Sequence, residues 1–303
     1  METYTRFFHA AGITVQLNSE VPIAKNTLEP KFSFFETDGP GEDNIVIHHF
    51  LSDIPKPEVH KANALKTVLD DGTWKISISD SICIYRYNSE EWSPIPYSVT
   101  NVFNKEHSHG KIYFSGINRK QYGNLRLNSL TGLGTDQILM SKLLADRNGF
   151  LFHSNGVSLS GKTLLFTGKS GAGKSTISGL IKKNGGKIFC DDRIIMQKDN
   201  ADFFASGSWI HPGVTSASLY TGKVDAVFFI EQADHNMITP ITKITKKYEK
   251  AIKALVKNFF MTDQWNSTLG LVDDFVQKTP FYSLKFNLTN EIYTLISHEI
   301  QLL

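Results

Sequence analysis

The sequence is poor in cysteine, in net charge and in long apolar runs, and each shortage excludes a class of protein. Only Cys83 and Cys190 occur among 303 residues, and neither belongs to a C-x-x-C or Cys/His cluster. A disulfide framework or a structural zinc site therefore has no support, and a reducing cytoplasm is the expected compartment. The 32 Lys+Arg nearly balance the 30 Asp+Glu, which gives no general electrostatic case for a nucleic-acid partner.

Apolar segments of membrane-spanning or export length are missing as well. No run of about 18 apolar residues occurs in the chain. The segment Met1–Phe8 also lacks a basic region followed by an apolar stretch of signal length. We therefore expect a cytoplasmic protein that is neither exported nor membrane-spanning.

What the chain does contain is enough apolar material for two folded domains. Hydrophobic residues make up 41% of the 303 residues, and the pattern changes character near Ser129–Gly134. These observations predict a β-rich domain over residues 1–130 and an α/β domain over residues 131–303. The number of copies in the assembled protein stays open, with a homo-oligomer as one option.

Residues 1–130 show the period of two that is typical of half-buried strands. Apolar and polar residues alternate through Ile13–Leu17, Trp74–Ile78 and Ile112–Phe114, which predicts strands joined by turns. No catalytic constellation is visible there, so we interpret this half as a candidate substrate or partner module.

Two pairs of histidines are the only His clusters in that half. They are His48-His49 and His107-x-His109, and no carboxylate or cysteine stands beside either pair at ligand spacing. We therefore interpret them as surface or edge-strand histidines rather than as metal ligands.

Strands and helices alternate after residue 130, which is the pattern of an α/β domain. The helix near residue 138 follows Thr135 and Asp136, either of which is a suitable N-cap. For a lysine-rich helix after residue 243, we favour a solvated lysine face over an anion-binding surface. The predicted strands are 150–153, 163–167, 187–190, 226–230 and 281–286, and the predicted helices are 138–146, 173–183, 243–257, 262–278 and 290–302.

A glycine-rich loop in the α/β half carries the clearest functional pattern. It satisfies G-x-x-x-x-G-K-[ST] at every position and lies between an apolar strand and a predicted helix, which argues against a chance match. Glycines let backbone N–H groups approach phosphate oxygens, and the positive end of the helix favours the same anions. Lys174 is expected to reach the β- and γ-phosphates of ATP, and the Ser175 hydroxyl to ligate Mg²⁺. The predicted nucleotide-binding residues are Gly168, Lys169, Ser170, Gly171, Ala172, Gly173, Lys174, Ser175 and Thr176.

An acid pair follows this loop after one short helix. Asp191 and Asp192 come directly after the predicted strand Lys187–Cys190, 16 and 17 residues beyond Ser175. If that strand lies beside the strand that leads into the loop, both carboxylates reach the bound phosphates. One acid would then hold Mg²⁺, and the other would accept the proton of an attacking hydroxyl. The alternative is an Asp pair that caps the next segment.

At this point the sequence resembles a known family. The resemblance is to the catalytic domain of HPr kinase/phosphorylase, a bacterial P-loop serine kinase related in fold to phosphoenolpyruvate carboxykinase. It covers roughly residues 136–235 and is carried by His153, Gly161, the loop Gly168–Ser175 and Asp191-Asp192-Arg193. The chain also looks like the smaller HPr-kinase-like proteins that accompany ribosomally made peptides, including lasso-peptide precursor kinases.

The resemblance implies a fold, a reaction and a role for each residue of the site. An Mg·ATP-dependent kinase would transfer the γ-phosphoryl group to a hydroxyl, most readily the serine of a protein or peptide acceptor. Asp192 would be the general base, with His153 assisting it and Lys174 binding phosphates. Ser175 would hold the metal, with Asp191 as a supporting acid.

Departures from the family pattern keep alternatives open. The stretch Ser206–Tyr220 contains no acid to match the family's metal-binding Glu, and Glu231 is the candidate substitute. No matching Arg is evident, which weakens the case for the reverse, dephosphorylating reaction. The alternatives are a non-catalytic ATP-binding accessory or regulatory protein of the same fold, and a small-molecule kinase.

Overall fold

The computed structural model describes residues 3–55, 65–88, 97–210, 216–257, 262–287, 289 and 291–302. The chain folds as two compact units: Met1–Leu143 with Ile210–Pro212, and Leu144–Trp209 with Gly213–Leu303. Within these residues the fold is mixed α/β, with one nine-stranded sheet in each unit. No helix within the described residues has the length and apolarity needed to cross a bilayer.

The first unit is built on a single sheet. Its strands are β1 (Tyr4–Ala10), β2 (Ile13–Ser19), β3 (Glu36–Thr37), β4 (Asp43–Phe50), β5 (Lys66–Asp70), β6 (Trp74–Ile78), β7 (Ile82–Asn88), β8 (Ser98–Asn104) and β9 (His109–Ser115). Their order is β3-β1-β2-β4-β9-β8-β7-β6-β5. The pairs β2–β4 and β4–β9 are parallel, and the remaining pairs are antiparallel. A short helix, α1 (Arg119–Tyr122), follows β9.

Alternation along β4 buries one side of this strand. In β4, Ile45, Ile47 and His49 are buried, while Val46 and His48 between them are partly exposed. The strands predicted from the period of two near residues 13, 74 and 112 are all present. The prediction that this half is rich in strands is therefore confirmed.

Two histidines in this unit are buried, so their interpretation as surface or edge-strand residues is wrong. His49 lies on the core side of β4, with Nδ1 2.8 Å from the Tyr122 hydroxyl and Nε2 2.7 Å from the Leu130 carbonyl. His107 is also buried, with Nε2 2.8 Å from the Tyr85 hydroxyl. Hydrogen-bonding partners make the burial of a neutral imidazole tolerable. Among the described residues, no three His, Cys, Asp or Glu side chains are grouped to hold a metal.

The first unit extends past the junction expected at residue 130, because the following loop is bonded back into it. The Asp136 carboxylate accepts hydrogen bonds from the N–H of Leu130 at 2.8 Å and of the next residue at 2.9 Å. The Thr135 hydroxyl accepts a hydrogen bond from the N–H of Gln137 at 3.3 Å, where the next helix begins. The boundary between the units falls within the helix that follows, α2 (Gln137–Ala145).

The second unit combines a mixed sheet with helices. Its strands are β10 (Gly149–His153), β11 (Asn155–Leu159), β12 (Lys162–Thr167), β13 (Lys187–Cys190), β14 (Arg193–Asp199), β15 (Asp202–Ser206), β16 (Thr221–Gln232), β17 (Met237–Pro240) and β18 (Phe281–Phe286). Its further helices are α3 (Lys174–Lys183), α4 (Ile244–Ala254), α5 (Thr262–Lys278) and α6 (Glu291–Gln301). The strand order is β10-β14-β15-β16-β12-β11-β13, and β18 pairs with both β16 and β17.

Helices cover both faces of this second sheet. Leu165 of β12 belongs to an apolar cluster that includes Phe275 of α5, whereas the next residue, Phe166, belongs to a cluster that includes Ile177 of α3 and Ile296 of α6. A strand buried on both faces needs an unbroken apolar run, and this explains the apolar sequence of β12. The layered arrangement is that of an α/β domain, as the alternating pattern predicts.

The strand that carries the acid pair does not lie beside the strand that leads into the glycine-rich loop, so the condition stated for that arrangement is not met. Strand β11 lies between them and pairs antiparallel with both β12 and β13. The reason is a two-residue turn, Ser160-Gly161, in which both residues have positive φ and which folds β11 back against β12. Because β11 is antiparallel to both of its neighbours, β13 still runs the same way as β12. Both strands therefore end at the same edge of the sheet.

Two paired segments of the chain, residues 149–159 and 187–199, are each interrupted by a short link at this edge. Strands β10 and β14 pair, with His153 opposite Arg193, while their continuations β11 and β13 pair, with Gly156 opposite Cys190. The links are Ser154 on one side and Asp191-Asp192 on the other. The Ser154 N–H donates to the Asp192 carbonyl at 2.9 Å, so the two links are bonded together. The bonded links set the position of the acid pair.

Candidate active site

The glycine-rich loop, Gly168–Ser175, joins the end of β12 to the start of α3. Gly171 and Gly173 have φ of +76° and +102°, and Gly173 is the residue that precedes the helix. Positive φ is accessible to glycine without a steric penalty, and it turns backbone N–H groups toward the inside of such a loop. Lys169, Ser170, Gly171, Ser175 and Thr176 are exposed, whereas Gly168, Ala172, Gly173 and Lys174 are partly buried.

Side chains from β16 and β18 fix the loop from behind. A Cβ added to Gly173 would overlap Phe286 Cζ, and one added to Gly168 would lie 2.8 Å from Ile230 Cγ1. The Gln232 side-chain amide donates to the Gly171 carbonyl at 3.1 Å. No sequence pattern indicated these three supporting residues, because they lie on strands far along the chain. What the three residues share is a position near the carboxyl end of a strand that runs parallel to β12.

Lys174 lies at the mouth of the loop, close to the acid pair. Its Nζ donates to the Gly168 carbonyl at 3.0 Å. Burial lowers the pKa of Lys174, while the charge of Asp192 raises it and that of Arg193 lowers it. The ammonium group of Lys174 is therefore within electrostatic reach of the Asp192 carboxylate.

The Asp192 carboxylate contacts the side chains of both His153 and Arg193. Its Oδ1 lies 2.8 Å from His153 Nε2 and 2.9 Å from Arg193 Nη1. The Asp192 side chain is 15% exposed and that of His153 is 35% exposed, so the pair is accessible at a shielded sheet edge. The Thr167 hydroxyl donates to the His153 carbonyl at 2.8 Å and ties β10 to the residue before the loop. The structure thus brings together His153, Asp192 and the loop.

Asp191 points to a different neighbour from Asp192. Its Oδ2 accepts a hydrogen bond from the Ser216 N–H at 3.2 Å. Mg²⁺ commonly takes only one or two protein carboxylates, with phosphate and water oxygens completing its shell. A partly buried Asp191, together with the exposed hydroxyl of Ser175 at the start of α3, is a donor set that fits Mg·ATP.

The sequence offered Glu231 as a candidate metal ligand. It is exposed near the end of β16, in register with Lys285 of β18. Burial and the charge of Lys246 lower the pKa of Lys250 on α4, and the charge of Glu231 opposes this shift. Among the described residues, no hydrogen bond or ion pair joins Glu231 to the acid pair, so the structure offers no support for Glu231 as a metal ligand.

Part of the stretch Ser206–Tyr220, which lacks the acid of the family pattern, packs inside the protein. The Ser208 hydroxyl donates to the Arg193 carbonyl, and Trp209 is buried in the protein interior. A Cβ on Gly207 would lie 2.8 Å from the Phe189 carbonyl, so this backbone packs closely on β13. Residues 211–215 of the stretch lie outside the described residues.

The lysine-rich helix α4 has a less solvated face than the sequence suggested. Lys247 Nζ donates to the carbonyls of Val276 at 3.1 Å and Thr279 at 2.9 Å, at the end of α5. Lys250 Nζ lies 5.1 Å from the centre of the Phe229 ring. Two of the lysines therefore stabilise neighbouring elements, while Lys246 and Lys253 remain exposed.

Comparisons with known proteins add a distant structural likeness. No family model matches the chain, and no curated protein matches its sequence. Among solved structures, the chain is similar to the Hpr(Ser) kinase/phosphatase from Coxiella burnetii, with 12% identity and a TM-score of 0.30. The match covers 50% of this chain and 97% of that one. A likeness this distant carries no argument about fold or function.

Proposed function

We propose that the protein is an Mg·ATP-dependent kinase that transfers the γ-phosphoryl group to a serine hydroxyl of a protein or peptide. The observation that best supports this proposal is the contact of His153 with Asp192 at 2.8 Å, at the sheet edge where the glycine-rich loop begins. The loop by itself favours only nucleotide binding. A carboxylate within electrostatic reach of Lys174 adds a group that can take a proton from an acceptor.

The loop is proposed to hold the triphosphate. Its glycines and the first turn of α3 offer backbone N–H groups and the positive end of the helix. Lys174 Nζ would exchange the Gly168 carbonyl for phosphate oxygens. Ser175 and Asp191 would hold Mg²⁺, which supplies positive charge between the phosphates when bound.

Asp192 is proposed to be the general base. The acceptor oxygen bonds to the γ-phosphorus as the bond between that phosphorus and the β,γ-bridging oxygen breaks, and ADP leaves. The proton of the acceptor hydroxyl goes to the Asp192 carboxylate. Arg193 and His153 both contact Oδ1 of Asp192, and they are proposed to orient this carboxylate toward the acceptor.

The test is incubation with γ-labelled ATP, Mg²⁺, the proteins encoded beside this one and a serine-containing peptide library. Asp192→Asn is expected to lower label transfer by about 10²–10⁴-fold, because general-base catalysis contributes that much. Calorimetry should show that Asp192→Asn still binds ATP, because the loop and Lys174 are proposed to hold the phosphates. Asp199→Asn, at an exposed position at the end of β14, is the matched control and should transfer label normally.

The outcomes separate the alternatives. Transfer that survives Asp192→Asn would refute the assigned base. ATP binding without transfer to any acceptor would support a non-catalytic accessory protein. Label that enters only small hydroxyl compounds would support a small-molecule kinase.

A further inference from the structure

A cavity of about 460 Å³ opens on the sheet of the first unit. Strands β4, β7, β8 and β9 form it, and the proposed kinase chemistry uses none of its residues. The volume lies in the range of small-ligand sites, about 300–1,000 Å³. The lining residues are Val46, His48, Ser81, Ile82, Val102, Phe103, Asn104, His109, Gly110 and Lys111.

The pairing of the strands places the functional side chains of the cavity on one face. Val46 is opposite His109 and His48 is opposite Lys111 in the β4–β9 pair, while Val102 is opposite Lys111 in the β8–β9 pair. Directly opposed residues share a face of the sheet. This face is the partly exposed one, because the alternate residues of β4 point into the core. The cavity therefore combines an apolar surface with a rim of basic side chains.

Positive charge dominates the rim. Burial first, and then the charges of Lys111 and His109, lower the pKa of His48 below its ordinary value. Among the lining residues that the structure describes, none is acidic. A bound anion would be attracted to Lys111 and would favour protonation of His48.

The ring of His48 is held in place before any ligand arrives. The Asn18 side-chain amide donates to its Nε2 at 3.1 Å, which leaves Nδ1 to carry the proton of the neutral ring. The Phe50 ring stacks with the His48 ring, with 6.2 Å between the ring centres and 17° between the ring planes. A fixed ring loses little conformational entropy on binding, which favours a ligand contact here.

We propose that this cavity binds a ligand in which an apolar body is joined to a carboxylate or phosphate group. The apolar body would contact Val46, Ile82 and Val102, and the anionic group would contact Lys111 and the two rim histidines. A free aliphatic acid and the carboxy-terminal residue of a peptide share this chemistry. The proposal does not depend on the kinase assignment, because the cavity residues all belong to the first unit.

The test is an NMR titration of the full chain, observing the histidine ring signals, with octanoate and with 1-octanol as probes. Octanoate should shift the His48 and His109 signals saturably and raise the pKa of His48. Lys111→Gln should weaken octanoate binding by about tenfold, the value of one charge-assisted hydrogen bond, and leave 1-octanol unaffected. Lys120→Gln, an exposed lysine on α1, is the matched control.

Two further arms identify the source of the ligand and protect against misfolding. A leucine-ended peptide with a free carboxylate, compared with its amide, tests the peptide source against the free acid. If Lys111→Gln is unfolded by circular dichroism, His109→Gln takes its place. Equal responses to octanoate and 1-octanol, or shifts confined to residues outside the cavity, would overturn the proposal.

Discussion

Alanine at two positions of the glycine-rich loop separates backbone strain from packing. Gly171 and Gly173 both have positive φ, +76° and +102°, a conformation that costs a residue with a Cβ about 1–2 kcal/mol. Their surroundings differ. Among the described residues, nothing lies within 4 Å of a Cβ added to Gly171, whereas a Cβ on Gly173 would overlap Phe286 Cζ and lie 3.2 Å from its Cε1.

The expected losses of stability follow from that difference. Gly171→Ala should lower the free energy of unfolding of the second unit by about 1–2 kcal/mol, from strain alone. Gly173→Ala adds an overpacking cost of about 1–3 kcal/mol against Phe286, which makes about 2–5 kcal/mol in total. For a unit of this size, each kcal/mol lowers the melting temperature by about 2–4 °C.

The assay is thermal unfolding of the full chain with both single variants, Phe286→Leu and the Gly173→Ala/Phe286→Leu double variant. Phe286→Leu shortens the clashing ring, so the cost of Gly173→Ala should fall in this background toward the cost of Gly171→Ala. Equal losses for the two glycine variants would refute the packing argument. So would a Gly173→Ala cost that Phe286→Leu leaves unchanged.

Two further predictions concern stability. Burial lowers the pKa of His49 to about 4 from 6.5. Below pH 6.5 the unfolded chain therefore binds a proton at His49 that the folded chain does not bind, so the free energy of unfolding of the first unit should fall by about 3 kcal/mol between pH 6.5 and pH 4. Urea unfolding across this range checks the prediction, and an equally steep fall in His49→Gln would contradict it. Lys247→Met removes both hydrogen bonds to the carbonyls at the end of α5 and should lower the free energy of unfolding by about 1–2 kcal/mol. The exposed neighbour Lys246→Met should lower it by less than about 0.5 kcal/mol. Equal losses for the two variants in urea unfolding would contradict the role of these two hydrogen bonds.

Local patterns in the sequence were reliable wherever local physics decides the structure. Strands 187–190 and 281–286 and helix 262–278 have the predicted bounds, because periodicity and breakers act over a few residues. The roles of Lys174, Ser175, Asp191 and Asp192 stay predictions for the experiments above. The pattern also indicated that the acid pair lies near the loop, although it assumed the wrong neighbour for β13.

The errors have a common cause. Edge or surface placement was expected for the His48-His49 and His107-x-His109 pairs, but a central strand buries His49 and polar partners make that burial tolerable. Glu231 lies in register with Lys285 of β18, and its role as a metal ligand stays a prediction. Each outcome depends on which strands become neighbours, and a period of two does not report strand order.

The sequence by itself determined the glycine-rich loop, the elements on either side of it and the strand-rich character of the first half of the chain. These features depend on backbone preferences and spacing within one segment of chain. Only the tertiary structure decided that Phe286 and Ile230 support the loop, that His153 contacts Asp192, and that β4, β7, β8 and β9 enclose a basic, apolar cavity. Such contacts join residues far apart in sequence, because strand order and crossover, which no single segment encodes, decide which side chains meet.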